Sequence, residues 1–425
     1  MKTLAAVLLG LAVSLSAFAQ APGGLTREQL DVTVDETLTL IEKNFMKTLT
    51  REEIVARALN LLLQDLDPYS RYLNPIERAD FEAGTKAQFA GVGVIFELDA
   101  ESKLPRVRSL MLDSAARDAG VQRGDLVISV DGHALEGWPM DQIIGVVRGE
   151  PGAIARFSVR RAGVAEPLAF NIKRRIVLTP SVRGVRRDCL GRPNYLLDDK
   201  NGIGYIRVSR LAADTVGEVD RAVAGLQKRG LRALILDLRD CTGGLMRSAV
   251  DTADLFIDSG KLLTIVDRQE TEMFEAAPGK YTNFPMIVLI NAGTVSSGEI
   301  LAGALKDSGR ATFIGQRTFG KGRVQVLFPL GENLGAVVLS TGTFQRPSGK
   351  TIDRHDVAEG SADVGIAPDD GYEIFVADDE YRAWLELTDA LDSPMVLGAE
   401  DVPQNSNDRV LHVAVETLVK KLALP

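Results

Sequence analysis

Between Gly202 and Asn291 the chain carries three predominantly apolar runs, GIGYIRV, ALILDL and MIVLIN, without a polar residue at every second position. A strand with one face in water alternates. A strand that is apolar throughout is covered on both faces, the condition of a parallel sheet sandwiched by helices. Helical stretches from Thr215 to Lys228, Leu245 to Phe256 and Ser297 to Lys306 lie between or after these runs, so the chain from Pro180 onward predicts a layered α/β domain. In such sheets ligands gather outside the carboxyl ends of the strands. The segments that follow the second and third runs are DLRDCTGG and NAGTVSSGE.

The second of these places Thr294, Ser296 and Ser297 between a buried strand and a helix. A hydroxyl there meets free backbone amides and the positive end of the helix dipole, which suits a nucleophile and equally suits a helix cap. Gly243 and Gly244, after Asp237 and Arg239, offer a second set of unencumbered amides, and two such sets can converge on one oxyanion. A serine nucleophile needs a base. The chain has three histidines, and His133, His355 and His412 fall in a hairpin, a polar loop and a terminal helix, away from the strand ends.

A loop histidine could still swing in as base, and Lys321 is the other candidate. It sits in GQRTFGKG (residues 315–322), which fits the phosphate-loop spacing G-x-x-x-x-G-K. Gly322 replaces the hydroxyl that would hold magnesium, and RVQVLFPL after it reads as a strand, so the helix that would face a phosphate is missing. Lys321 follows the strand Ala311 to Gly315 and so is expected to project at the same end of the sheet as Ser296. To act as a base near neutrality it must shed its proton, which requires burial away from water. An ordinary solvated lysine in a glycine turn is the alternative.

Upstream, Leu30 to Leu66 repeats apolar residues at helical spacing and closes at LDPYSRYLNP, where Tyr69 and Tyr72 are expected to pack between domains. From Phe89 a mixed unit begins. FAGVGVIFEL and PRVRSLML read as strands, followed by a short helix, a turn at Arg123-Gly124-Asp125, a hairpin at Asp131-Gly132, a helix Met140 to Val147 and a strand in ARFSVRR. Linkers are expected at Ala21 to Thr26 and Arg174 to Arg187. Val410, Val413, Val415 and Leu418 predict a C-terminal helix packed on the core.

The first residues, MKTLAAVLLGLAVSLSAFAQ, have one lysine, a short apolar run and small residues at Ala17 and Ala19, the layout of a cleavable export signal. No later stretch is long and apolar enough to span a bilayer. A net charge of −9 and no basic run longer than Lys173-Arg174-Arg175 argue against nucleic-acid or anionic-membrane partners. Spacing does not say whether Cys189 and Cys241, the two cysteines, pair. At 425 residues, 45% hydrophobic and 25% charged, the chain has material for two or three globular domains.

Taken in order, these residues resemble the tail-specific, or carboxyl-terminal processing, serine proteases. TVSSGEI followed by TFGKGRVQ is similar to that family's S-A-S-A-S-E-I and F-G-K-G-x-V-Q, LDPYSRYLNP to L-D-P-H-S-x-Y-x-x-P, FAGVGV to F-x-G-I-G-I, and DLRDCTGGL to D-L-R-N-N-P-G-G-L. QRPSGKTI and GIAPD also find counterparts near the family's end. The resemblance implies a Ser296 nucleophile, a Lys321 base, Gln325 orienting that lysine, and an oxyanion site from the amide of Ser297 with one from Gly243 or Gly244. It further implies a multidomain α/β fold: an N-terminal helical segment over 25–80 after a signal peptide over 1–19, a PDZ domain over 84–175, an α/β protease core over 176–378 and a C-terminal helical segment over 379–425. A PDZ domain captures a peptide as an added strand and holds its carboxylate in a nest of amides. Gly91, Val92, Gly93 and Val94 match that loop, with Ile143 and Val147 as the apolar pocket.

The implied protein is an exported endopeptidase, periplasmic or secreted, that recognises protein or peptide substrates by their C-termini, with no metal or organic cofactor and with a homo-oligomer or adaptor as a possible partner. A silent peptide-binding adaptor and an acyl-transfer enzyme on small molecules are the competing readings. Departures from the family pattern fall at Thr294, Val295, Ser297 and Gly298, and at Asp240-Cys241-Thr242, the turn that aims the oxyanion donor.

Overall fold

A computed structural model of the chain describes residues 26–423 apart from 87, 112–113, 188–191, 332, 358–360, 362 and 393–407. The expected export signal and Cys189 lie outside the described residues. The chain divides into two units, one holding residues up to Asn74 with Leu327–Leu339, the other Pro75–Val326 with Ser340–Pro425.

In the first unit two helices, Arg27–Asn44 and Arg51–Leu66, each start with a reciprocal cap. Thr26 and Gln29 exchange side-chain bonds with each other's amides, as do Thr50 and Glu53, so two of the orphan donors at each helix start are satisfied. Arg51 pairs with Asp35 and with Glu42 of the preceding helix. The strand Arg71–Leu73 runs antiparallel to the start of Ala336–Gln345, with Leu73 opposite Ala336. Tyr72, of the expected helical segment, donates its hydroxyl to the Leu334 carbonyl (3.0 Å) of the expected core, and Gly335, at a φ of 81°, admits the close approach of Leu73.

The second unit opens with the helix Pro75–Thr85 and contains a small antiparallel sheet in the order Val94–Leu98, Pro105–Leu110, Leu126–Val130, Ile154–Arg160, Leu168–Lys173. Alternation decides its faces: Ala155, Phe157 and Val159 turn inward onto Val107, Val127 and Ile172, while their neighbours are exposed or half-buried. Asp131 and Gly132, both at positive φ, make the expected hairpin turn. The helix Met140–Val147 covers the sheet with the expected bounds. FAGVGVIFEL does not form one strand. It breaks at Val92 and Gly93 because Gly93 adopts a φ of 74° and packs where a Cβ would stand 3.0 Å from the Ser114 backbone. Gln88–Gly91 then leaves the sheet to pair with Arg175–Leu178, and Val94–Leu98 becomes its edge.

The α/β layer follows the three apolar runs. Ile203–Val208, Ala233–Asp237, Met286–Ile290 and Thr312–Gly315 are parallel neighbours, with Val182–Arg183 antiparallel at one side. Successive residues serve opposite faces. Leu234, Leu236, Val288 and Ile290 pack on the helices Thr215–Gln227, Met246–Asp254 and Ser297–Asp307. Ile235, Ile287 and Leu289 pack on Val410, Ala414 and Leu418 of the last helix, Arg409–Ala423. Each such side chain contributes roughly 1.5–3 kcal/mol by leaving water, and the two-sided cover explains why these central strands are mostly apolar, the polar groups within Ile203–Val208 being the Tyr205 hydroxyl, bonded to Asp237, and Arg207.

Candidate active site

The carboxyl ends of the central strands carry three loops that meet. The first ends at Ser296, which has a φ of 57° and a ψ of −122° immediately before the Ser297–Asp307 helix. A residue with a Cβ pays about 1–3 kcal/mol for such a conformation, a cost found where geometry serves function. Glu299, in the first turn of that helix, is fully buried and accepts four hydrogen bonds: from the amides of Ser296 (2.9 Å), Gly320 (2.6 Å) and Lys321 (2.9 Å) and from the Thr318 hydroxyl (2.6 Å). Burial pushes its carboxyl above the ordinary range, against these bonds, which favour the charged form.

The second loop holds Lys321, whose Nζ donates to Gln325 Oε1 at 2.7 Å. After Gly322 the chain enters the strand Arg323–Pro329, so no helix faces the loop and the phosphate-loop spacing is coincidental. The loop is held from its other side by Asp353, fully buried, which accepts the Gly322 amide at 2.9 Å. Neither glycine tolerates a side chain: a Cβ on Gly320 would stand 2.7 Å from Val364, and one on Gly322 2.9 Å from Asp353. The Phe319 amide reaches back to the Thr294 carbonyl at 3.1 Å, joining the two loops directly.

The third loop, Asp237 to Gly244, lies against the first. A Cβ on Gly243 would stand 3.0 Å from Ser296 Cβ and 3.1 Å from the Ser297 nitrogen, so the glycine cluster and the serines converge as the sequence suggested. Gly244 has its own constraint, since a Cβ there would stand 2.2 Å from the Leu211 carbonyl. The Gly243 amide donates to the Cys241 sulfur, which leaves the Gly244 amide as the donor of that pair with no partner among the described residues. Thr294, where the family pattern has serine, donates to the Leu238 carbonyl at 2.8 Å, and the Val295 amide to the Cys241 carbonyl at 2.9 Å.

Behind this turn stands a buried charge network. Arg239 binds Asp237 (2.6 Å) and, through both terminal nitrogens, Asp408 at the start of the last helix (2.9 and 2.7 Å), while the Trp384 ring lies 4.6 Å from the guanidinium. Tyr205 donates to Asp237 at 2.8 Å. Asp240, at a φ of 53°, accepts from the Tyr381 hydroxyl (2.9 Å) and from Asn291 (3.1 Å).

The expected peptide-binding residues fall differently. Val92 and Ile143 are wholly buried and Val147 is 6% exposed, all three within the small domain's core, so they have no surface to offer a ligand. Met140, Ile144 and Val146 are the half-buried apolar residues of the same helix. Glu299 had a readable signal, since Ser-x-x-Glu is the spacing of a helix cap. Asp353, Tyr381 and Asp408 had none.

The profile of Peptidase family S41 matches residues 202–370, and that of the PDZ domain matches residues 106–161. The chain is 32% identical over 353 residues to a carboxy-terminal-processing protease of Bartonella bacilliformis, covering 79% of this chain and 76% of that one. It is 31% identical over 359 residues to the carboxyl-terminal-processing protease of Synechocystis sp., covering 82% and 80%. Among solved structures it is similar to a photosystem II D1 C-terminal processing protease, at 26% identity over 82% of this chain and 94% of that one, with a TM-score of 0.44. With a PDZ domain ahead of its α/β layer and relatives matched over three quarters or more of both chains, the protein belongs to peptidase family S41, the carboxyl-terminal-processing serine peptidases.

Proposed function

We propose that the protein is an exported endopeptidase that works by a Ser296–Lys321 dyad and selects substrates by their C-terminal tails. The observation that carries this reading is the single carboxylate of Glu299, to which the backbones of Ser296 and Lys321 are both bound. Ser296 Oγ attacks the scissile carbonyl while the neutral Lys321 amine takes its proton, and Gln325 Oε1, accepting one N–H, orients that amine. The amides of Ser297 and Gly244 receive the oxyanion. Collapse of the tetrahedral adduct passes the proton from Lys321 to the leaving amine. Water then repeats the cycle on the acyl-serine and releases the new C-terminus.

Tail capture falls to the PDZ domain, where Val94–Leu98 is the open edge of its sheet and so accepts an added strand. The turn Gly91 to Val94, through backbone amides and not through the buried Val92 side chain, would hold the terminal carboxylate. Export rests on the N-terminal signal read from the sequence, and no described helix is long and apolar enough to cross a membrane.

Cleavage of an unfolded protein with an apolar C-terminal tail, by the mature chain and by Ser296→Ala and Lys321→Ala, tests this. Loss of cleavage in both variants with tail binding retained supports the dyad. Tail binding without cleavage in the wild type favours a silent adaptor, and cleavage that survives Ser296→Ala overturns the site.

A further inference from the structure

The turn that carries Gly243 and Gly244 is fixed from two directions. Its far end is held by the adjacent chain segment, since the Leu211 amide donates to the Gly243 carbonyl at 2.8 Å and the Leu245 amide to the Leu211 carbonyl at 2.7 Å. Its near end, Asp237 to Asp240, has a different set of partners. Arg239 is gripped by Asp408, and Asp240 by Tyr381, residues that belong to the C-terminal helices and not to the strands that build the site.

Asp240 is where this matters most. It sits at i+2 of a turn closed by the Cys241 amide on the Leu238 carbonyl (3.0 Å), at a positive φ that glycine adopts freely and aspartate or asparagine only occasionally. Its carboxylate is pressed against Gly293, where a Cβ would stand 1.9 Å from Oδ1, so the side chain has one place to go. In that place the Tyr381 hydroxyl spans both oxygens at 3.0 and 2.9 Å. Burial first, and then the charge of Asp240, push the Tyr381 phenol up to about 12, so it stays a donor throughout the neutral range. Tyr381 stacks on Trp384, and Trp384 lies over Arg239, so the two grips form one continuous patch.

We propose that Tyr381 and Asp408 are positioning residues for the proposed acyl transfer: they set the conformation of Asp237 to Asp240 and thereby aim the oxyanion-binding amide that follows. This rests on the Ser296 reading above. Neither residue touches the substrate. Their effect is on the transition state, because an amide turned away from the oxyanion weakens binding of the tetrahedral adduct and leaves the ground state alone.

The test is Tyr381→Phe, Asp240→Asn and the double variant, measured beside Ser296→Ala for kcat and KM on a tail-bearing peptide and for affinity toward a peptide boronate of the same sequence. Tyr381→Phe removes one hydroxyl and leaves the ring stack. It is expected to lower kcat about tenfold and boronate affinity by a similar factor, with KM, tail binding and thermal midpoint unchanged. Asp240→Asn alone, which keeps an oxygen for the Tyr381 hydroxyl, is expected to lower kcat less than Tyr381→Phe does, and the double variant is expected to match Tyr381→Phe and not to multiply the two losses, because both changes act through one hydrogen bond. A wild-type kcat in Tyr381→Phe, with Ser296→Ala inactive, overturns this proposal and leaves the Ser296 reading standing. So does a loss of kcat that comes with an equal loss of tail binding or thermal stability. Cleavage that survives Ser296→Ala overturns both.

Discussion

Ser296 and Lys321 meet at one atom, each donating its backbone amide to Oε2 of Glu299 at 2.9 Å. The other oxygen takes the Thr318 hydroxyl and the Gly320 amide at 2.6 Å each. Both oxygens of this carboxylate are thus double acceptors, and no group of the same shape can replace it. In Glu299→Gln one position becomes an NH2, and whichever way the amide is turned it faces two donors. Each amide or hydroxyl left without an acceptor costs about 1–3 kcal/mol. Turnover is expected to fall at least a hundredfold and the thermal midpoint to drop with it. Turnover near wild type would show that the shared carboxylate does not hold the two loops in place.

Gly243→Ala tests the contact between the glycine turn and the serine. The added methyl would stand 2.8 Å from the Val295 carbonyl and 3.0 Å from Ser296 Cβ, at a backbone φ of 85°. One loop must move, so kcat is expected to fall by two orders of magnitude or more, with circular dichroism and tail binding retained. An active Gly243→Ala enzyme removes this turn from the site.

Cys241 is expected to be inert. It is fully buried, and burial, with a smaller push from Asp237, raises its thiol to about 12 although the Gly243 amide pulls the other way. The reactive thiolate is therefore absent at pH 8. Iodoacetamide should leave the Cys241 peptide unlabelled in the native protein and label it after denaturation, as read by mass spectrometry of that peptide. Rapid native labelling at Cys241 would contradict its burial.

Acid stability carries the signature of Asp408. Burial works against its charged form, but the Arg239 guanidinium outweighs it and holds the carboxyl below its ordinary value, with His412 adding a smaller pull. Asp237 shares that guanidinium, and Glu380 faces Asp408 as a like charge. A lowered value means stability that is present above the unfolded aspartate's pKa, about 3.9, and is lost as pH falls through the folded one. The gap in urea midpoint between wild type and Asp408→Asn should be wide at pH 6 and narrow below pH 4. Glu299, raised, contributes in the opposite sense, but it is common to both proteins and cancels. A gap that stays constant with pH would mean that Asp408 contributes no ionic term.

Much of the architecture was legible because it is local or periodic. Helices over Met140–Val147 and Thr215–Gln227 and the buried strands of the α/β layer follow from apolar spacing, and the loops after them follow from strand order. The break at Gly93 was not, because a positive φ leaves no mark in a run of apolar and glycine residues. Ile143 and Val147 were misread for a related reason: periodicity shows which face of a helix is apolar but not whether core or ligand covers it. Glu299 was present in the quoted serine segment and was passed over. Tyr381 and Asp408 lie 141 and 169 positions from their partners, and no local pattern reports on such a distance.

That last separation also orders events during synthesis. The chain is made from its N-terminus, so Ser296, Lys321 and Gln325 all exist before the carboxylate that closes the buried charge network. At roughly 5–20 residues per second, the roughly 80 residues from Gln325 to Asp408 take about 4–16 s to add. For that interval Arg239 has no Asp408 to bind, so the charge network behind the active-site turn closes only after every residue of the proposed dyad has been made.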